Sequence, residues 1–155
     1  MLLFGVECLP LILRFIRENA EVVGCQHEVV ATEELLLNHL FGPHPAAEVL
    51  LAFEEAIPVG FALFFRTFST YLGQPGIYLE DLYVSPNQRR KGYGRQLLQA
   101  VARLTLERDC ARLEWSAQRK NVNAVEFYKR LGAFVKEPWI MFRLSGRPLK
   151  QLTLD

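Results

Sequence analysis

The chain has 155 residues, 18 Lys+Arg against 17 Asp+Glu, and half of its residues are hydrophobic. That length fits a single domain over residues 1–155, and the globular composition excludes disordered and low-complexity classes. A formal charge of +1 argues against nucleic acid or an anionic membrane as a general partner, so any charge-driven function must be local.

Cys8, Cys25 and Cys110 are odd in number and widely spaced, which suits free thiols in a reducing compartment better than disulfides or zinc. His27, His39 and His44 offer no metal spacing either, so no metal is expected. The opening residues are partly apolar, but Glu7 and Pro10 interrupt them and Arg14 and Arg17 follow, the reverse of an export signal. The apolar run Val59–Phe65 is far short of a membrane span. The chain reads as soluble and cytoplasmic.

In chain order, Leu2–Val6 could form a short strand. Leu9, Ile12, Leu13 and Ile16 give Leu9–Asn19 the spacing of an amphipathic helix. Thr32 precedes Glu33-Glu34 and three leucines, an N-capped second helix ending near Phe41-Gly42-Pro43. Glu48–Phe53 and Ile57–Phe68 read as a hairpin around Glu54-Glu55-Ala56. Tyr71–Gly76 is a second turn, Ile77–Val84 is the return strand, and Ser85-Pro86-Asn87 stops it. Gly92–Glu107 is helical, Ala111–Ala117 alternates like a strand, Asn121–Leu131 is helical up to Gly132, and Phe134–Leu144 supplies one or two final strands. The order describes an α/β domain with a mixed, mostly antiparallel central sheet flanked by about four helices.

The segment Glu80–Gln96 carries the most chemistry. A strand enters a loop rich in Arg, Lys and Gly, and the loop enters a long helix. The unpaired N–H groups and the dipole of a helix start favour an anion. Gly92 and Gly94 would let backbone approach an oxyanion closely, and Arg89, Arg90, Lys91 and Arg95 add charge suited to phosphates. Neither the spacing of a nucleoside-triphosphate loop nor that of a dinucleotide fingerprint is present.

Arg89-x-x-Gly92-x-Gly94 resembles the acetyl-CoA-binding motif of the Gcn5-related N-acetyltransferase (GNAT) superfamily. Asn121-x-x-Ala124-x-x-Phe127-Tyr128-Lys129-Arg130-Leu131-Gly132 resembles that superfamily's closing helix. Phe41-Gly42-Pro43-His44-Pro45, Val59-Gly60-Phe61-Ala62 and Tyr78-Leu79-Glu80-Asp81 are similar to the diamine (spermidine/spermine) and thialysine acetyltransferase branch, and the likeness runs from about Thr32 to Leu144.

The resemblance implies acetyl-CoA as cosubstrate, a small-molecule amine as acceptor, and a homodimer. It implies that the backbone of Leu82, Tyr83 and Val84 binds the pantetheine arm. Arg90, Lys91, Gly92, Tyr93, Gly94 and Arg95, after Arg89, would cradle the pyrophosphate, and Asn121 and Ala124 would contact the far end of the arm. Tyr128 would protonate the departing thiolate. Glu80 would bind the acceptor amine or relay its proton, with Asp81 and Glu137 as further acidic contacts.

These roles are chemically coherent. An alkylamine near pKa 10 must lose a proton before it attacks, and general acid or base help of this kind gives about 10²–10⁴ in rate. Plainer readings stand beside them: Tyr128 as a core aromatic, Glu80 and Asp81 as structural partners, Asn121 as a helix cap. One departure bears on the acceptor: the aromatic–acid pair with which the polyamine branch contacts its amine falls at Val22 and Val23, flanked by Glu21 and Glu28. Another bears on the geometry of the cosubstrate loop, where the family's frequent Gly before Lys91 is Arg90. A protein or peptide N-acetyltransferase and a non-catalytic CoA-binding module are the alternatives.

Overall fold

The computed structural model describes Leu2–Leu3 and Gly5–Leu154, with side chains from Gly5 onward. The chain divides into two compact units, residues 1–116 and 117–155. The first holds a five-stranded sheet whose strands lie side by side in chain order: β1 (Leu2–Leu3), β2 (Glu48–Glu54), β3 (Ile57–Ser69), β4 (Gln74–Val84) and β5 (Leu113–Trp115). The first four are antiparallel neighbours, while β5 joins β4 in parallel. A parallel partner needs a crossover, and here it is the helix α3 (Tyr93–Glu107).

Before the sheet come α1 (Leu9–Val23) and α2 (Glu33–Leu40). α1 runs one turn beyond Asn19 because nothing stops it before Gly24, which takes the left-handed conformation (φ +78°) that closes a helix. Thr32 caps α2 as expected, its Oγ1 accepting the Leu35 N–H at 3.2 Å. The strand expected over Leu2–Val6 is present at Leu2–Leu3; Phe4 lies outside the described residues, and Val6–Cys8 is a 3-10 turn.

α1 buries Ile12 and Phe15 against Val49, Leu51, Phe61 and Tyr83. Phe15 and Phe61 stack at 5.8 Å between ring centres, and each such buried ring contributes about 1.5–3 kcal/mol. Alternation sends Leu82 and Val84 of β4 to the opposite face from Tyr83. There α3 packs through Leu97, Leu98 and Val101. Its last turn is tied to β2 by Arg108 Nη2, which donates to Glu48 Oε2 at 2.7 Å.

Two bulges break the ladder. β2–β3 pairing shifts between Ala52/Gly60 and Phe53/Pro58, so Val59 is the extra residue. β3–β4 pairing shifts between Leu63/Asp81 and Phe64/Leu79, so the extra residue is Glu80.

The second unit holds α4 (Val122–Arg130) and a short α5 (Gly146–Gln151). The α-helices thus number five among the described residues, where about four were expected. The strands expected over Phe134–Leu144 do not form. Apolar residues are not enough for a strand without a ladder partner. Pro138 offers no N–H to one, and Phe134, Trp139 and Phe142 are exposed rather than packed on a sheet face.

Candidate active site

β5 pairs with β4 only over Ile77–Leu79. Beyond Leu79, β4 is bonded to β3 on one side, and no strand among the described residues ladders its other edge. The backbone groups of Leu82–Val84 on that edge can therefore accept an extended chain as an added strand. This is the stretch that the family resemblance would give to the pantetheine arm.

The Glu80 bulge lies where the second ladder ends. A bulge leaves its extra residue out of the pairing and re-aims its side chain. Glu80 is exposed and Asp81 is half-buried. Asp81 Oδ1 accepts from Asn19 Nδ2 of α1 at 2.7 Å. Burial, and secondly the neighbouring Glu80 charge, push the Asp81 carboxyl above the ordinary range, and the Asn19 bond opposes them. Two residues on, the Tyr83 hydroxyl donates to Glu18 Oε2 at 2.8 Å. Tyr83's ring belongs to the core, so only its backbone faces the bare edge. One turn of α1 thus grips alternate residues of β4.

After Val84 the chain turns through Pro86–Gln88. Arg89 Nε donates to Val84 O at 3.0 Å, folding the loop back on the strand. Arg90 has φ +64°, the conformation that glycine adopts freely and that costs another residue about 1 kcal/mol. The Arg in place of the usual Gly therefore keeps a glycine-like path. Gly92, at φ +92°, is the N-cap of α3, and the first helical bond runs from Gln96 N–H to Gly92 O. The N–H groups before Gln96 have no partner within the helix.

Gly94 needs neither a positive φ nor space inside the protein. A Cβ there would meet only Val84 Cγ2, at 3.8 Å. A glycine in a helix is destabilising by about 0.5–1 kcal/mol relative to Ala. Its use beside Val84 and the open N–H groups fits a ligand that must come close to the backbone, as a pyrophosphate would. Lys91 and Tyr93, assigned to that pyrophosphate, have side chains engaged by Glu54: Lys91 Nζ lies 3.1 Å from Glu54 Oε1, and the Tyr93 hydroxyl donates to the same oxygen at 2.8 Å. Arg90 and Arg95 are exposed.

In the second unit Asn121 caps α4, its Oδ1 accepting the Ala124 N–H at 3.2 Å. Tyr128 is half-buried, and burial pushes its phenol above the usual range, so it holds its proton throughout neutral pH. Glu137 is ion-paired with Arg119 Nη2 at 2.8 Å.

Sequence reasoning missed Glu54, read only as part of a turn, and the α1 residues Glu18 and Asn19. Their partners are distant in sequence, so no local spacing marked them. Among the described residues no group of three His, Cys, Asp or Glu side chains gathers as a metal cluster would, and no helix is long and apolar enough to cross a membrane.

Thialysine N-epsilon-acetyltransferase of Mus musculus is 35% identical over 154 residues, covering 91% of this chain and 89% of the relative. L-ornithine N5-acetyltransferase of Arabidopsis thaliana is 38% identical over 98 residues, 63% of this chain and 43% of that protein. The solved integron cassette protein from the mobile metagenome of V. cholerae superposes with a TM-score of 0.80 at 30% identity, over 99% of this chain and 96% of its own. The acetyltransferase (GNAT) family model matches residues 12–133, a span that contains β2–β5, the Arg89–Arg95 loop and Tyr128. The chain belongs to the GNAT family of acetyltransferases, enzymes that move an acetyl group.

Proposed function

We propose that this enzyme transfers the acetyl group of acetyl-CoA directly to the primary amine of a small cationic acceptor: a diamine, a polyamine, thialysine or a similar compound. The observation that carries this reading is the bulge carboxylate Glu80, set where the bare edge of β4 begins, with the anion-suited loop at that edge's far end. The names of two relatives, acting at thialysine Nε and ornithine N5, support a small amine rather than a protein chain.

Acetyl-CoA supplies an activated thioester. The backbone of Leu82–Val84 would align the arm, with Asn121 and Ala124 further along it, and the N–H groups from Arg90 to Arg95 would hold the phosphates with Arg89 beside them. Glu80 binds the ammonium and takes or relays its proton, because only the neutral amine attacks. Asp81 adds negative charge on the acceptor side, and Glu137, whose charge is shared with Arg119, is a further acidic contact there. Tyr128, kept protonated by burial, gives its proton to the departing thiolate. No covalent enzyme nucleophile is involved. We assign both units to one catalytic domain, working as a cytoplasmic homodimer. The three free cysteines fit a reducing compartment, and the exposed apolar side chains over Phe134–Phe142 fit a subunit contact.

The test is CoA-thiol release with acetyl-CoA against diamines, polyamines, thialysine, lysine and peptides. Turnover of at least one small amine in preference to peptides is expected, and activity on peptides alone would overturn the reading. Tyr128→Phe should lower kcat by about 10² with little change in KM. The wild-type profile should show no limb from this phenol below about pH 10. An unchanged kcat across pH would remove Tyr128 from the mechanism.

A further inference from the structure

Glu54 closes β2 opposite Ile57, where Glu55 makes the turn at φ +54°. Its carboxylate reaches out of the hairpin to the loop before α3. Oε1 takes the Tyr93 hydroxyl at 2.8 Å and Lys91 Nζ at 3.1 Å, while Oε2 lies 3.3 Å from the same ammonium. One carboxylate therefore gathers two side chains, Lys91 and Tyr93, at the entrance to α3. The hairpin meets this segment at a second place, where the carbonyl of the bulged Val59 accepts the Ser85 N–H at 2.9 Å.

We infer that Glu54 is a positioning residue for cosubstrate phosphates, anchoring the Lys91–Tyr93 part of the loop whose backbone N–H groups would face them. The inference rests on the acetyl-CoA reading above. Two effects oppose each other here. A carboxylate beside an anion site repels the anion, but Lys91 neutralises this one at contact distance and the pair is exposed and screened. Against that, the loop holds two left-handed residues, Arg90 and Gly92, and a segment that must be ordered at binding costs affinity unless it is ordered beforehand. Tying Lys91 and Tyr93 to the hairpin supplies that order, and the positioning effect wins.

The experiment compares acetyl-CoA with S-acetyl-pantetheine, which carries the same thioester and arm without phosphates. Glu54→Ala should raise KM for acetyl-CoA about three- to tenfold, the scale of one charge-assisted hydrogen bond, with kcat within about twofold. Its KM for S-acetyl-pantetheine should stay that of the wild type. Glu54→Gln keeps an acceptor for the Tyr93 hydroxyl and loses the Lys91 pair, so it should fall between. An unchanged or lowered KM for acetyl-CoA overturns the inference. An equal rise with both donors overturns it too, since that is general loosening. A wild type that prefers neither donor overturns the phosphate reading itself, and this inference with it, without any mutant being involved.

Discussion

From Pro75 to Leu79, β4 is hydrogen-bonded on both sides, to β3 and to the β5 region. From Glu80 to Val84 it is laddered on one side only, and a bulge separates the two halves. The first half carries buried Ile77 and Leu79 on a regular ladder. The second carries two adjacent carboxylates, an open backbone edge and the entrance to the Arg89–Arg95 loop. A fully paired strand has spent its backbone groups on the fold, whereas a half-paired one keeps them for a ligand. The same strand thus divides into a structural half and a half available for chemistry.

That division is broken most directly at its boundary. Glu80→Gln keeps the size of the side chain and removes the charge that would hold and deprotonate the amine. We expect kcat/KM for the acceptor to fall by about 10²–10⁴, with the loss at neutral pH shrinking as rising pH supplies neutral amine. KM for acetyl-CoA and the thermal midpoint should move little, because Glu80 is exposed and outside the ladder. A uniform loss across pH would mean that Glu80 orients the amine without handling its proton.

One residue earlier the expectation inverts. Leu79 is 2% exposed, and Leu79→Ala should cost about 2–5 kcal/mol in unfolding free energy by urea titration. Activity per folded molecule should remain within about twofold at low temperature. If this variant instead stays stable and loses affinity for either substrate, the two halves of β4 are not separable.

Much of this was legible in the residues. Apolar and aromatic runs bounded by turn residues mark β2, β3 and β4, and the consecutive buried residues of β2 and β3 show strands covered on both faces, which need not alternate. Glycines and basic residues mark the Arg89–Arg95 loop, because an anion site needs them within a few residues. The bulges were not legible, since no residue type in Leu79-Glu80-Asp81 reveals a slip against Phe64 and Leu63. The Asn19–Asp81 and Glu18–Tyr83 bonds bridge 62 and 65 residues, and such pairs leave no periodic trace. Glu54 stayed hidden because a charged residue at a hairpin turn already has a sufficient reason to be polar. The segment Phe134–Leu144 misled for the opposite reason: its composition is strand-like, while a strand also needs a partner that composition does not supply.

Asp81 gives the smallest and most discriminating test of the comparison, since it stands just inside the second half yet is tied to α1. Its carboxyl is raised above the ordinary 3.8, chiefly by burial. The folded state therefore binds its proton more tightly than the unfolded chain, and folding takes up a proton over the window just above 3.8. Stability consequently falls as pH rises through that window and stays lower above it. Asp81→Asn keeps an oxygen for the Asn19 amide and has no charge to bury. The variant should melt about 1–3 °C higher than wild type at pH 7.5, with the gain fading on acidification and gone near pH 3.8. Its KM for the amine should rise only about two- to threefold, because the Asn19 bond already occupies Oδ1. A lower midpoint at pH 7.5 would show that this bond needs the charge. A tenfold or larger rise in KM would make Asp81, with Glu80, a principal holder of the acceptor and extend the site through the tether to α1.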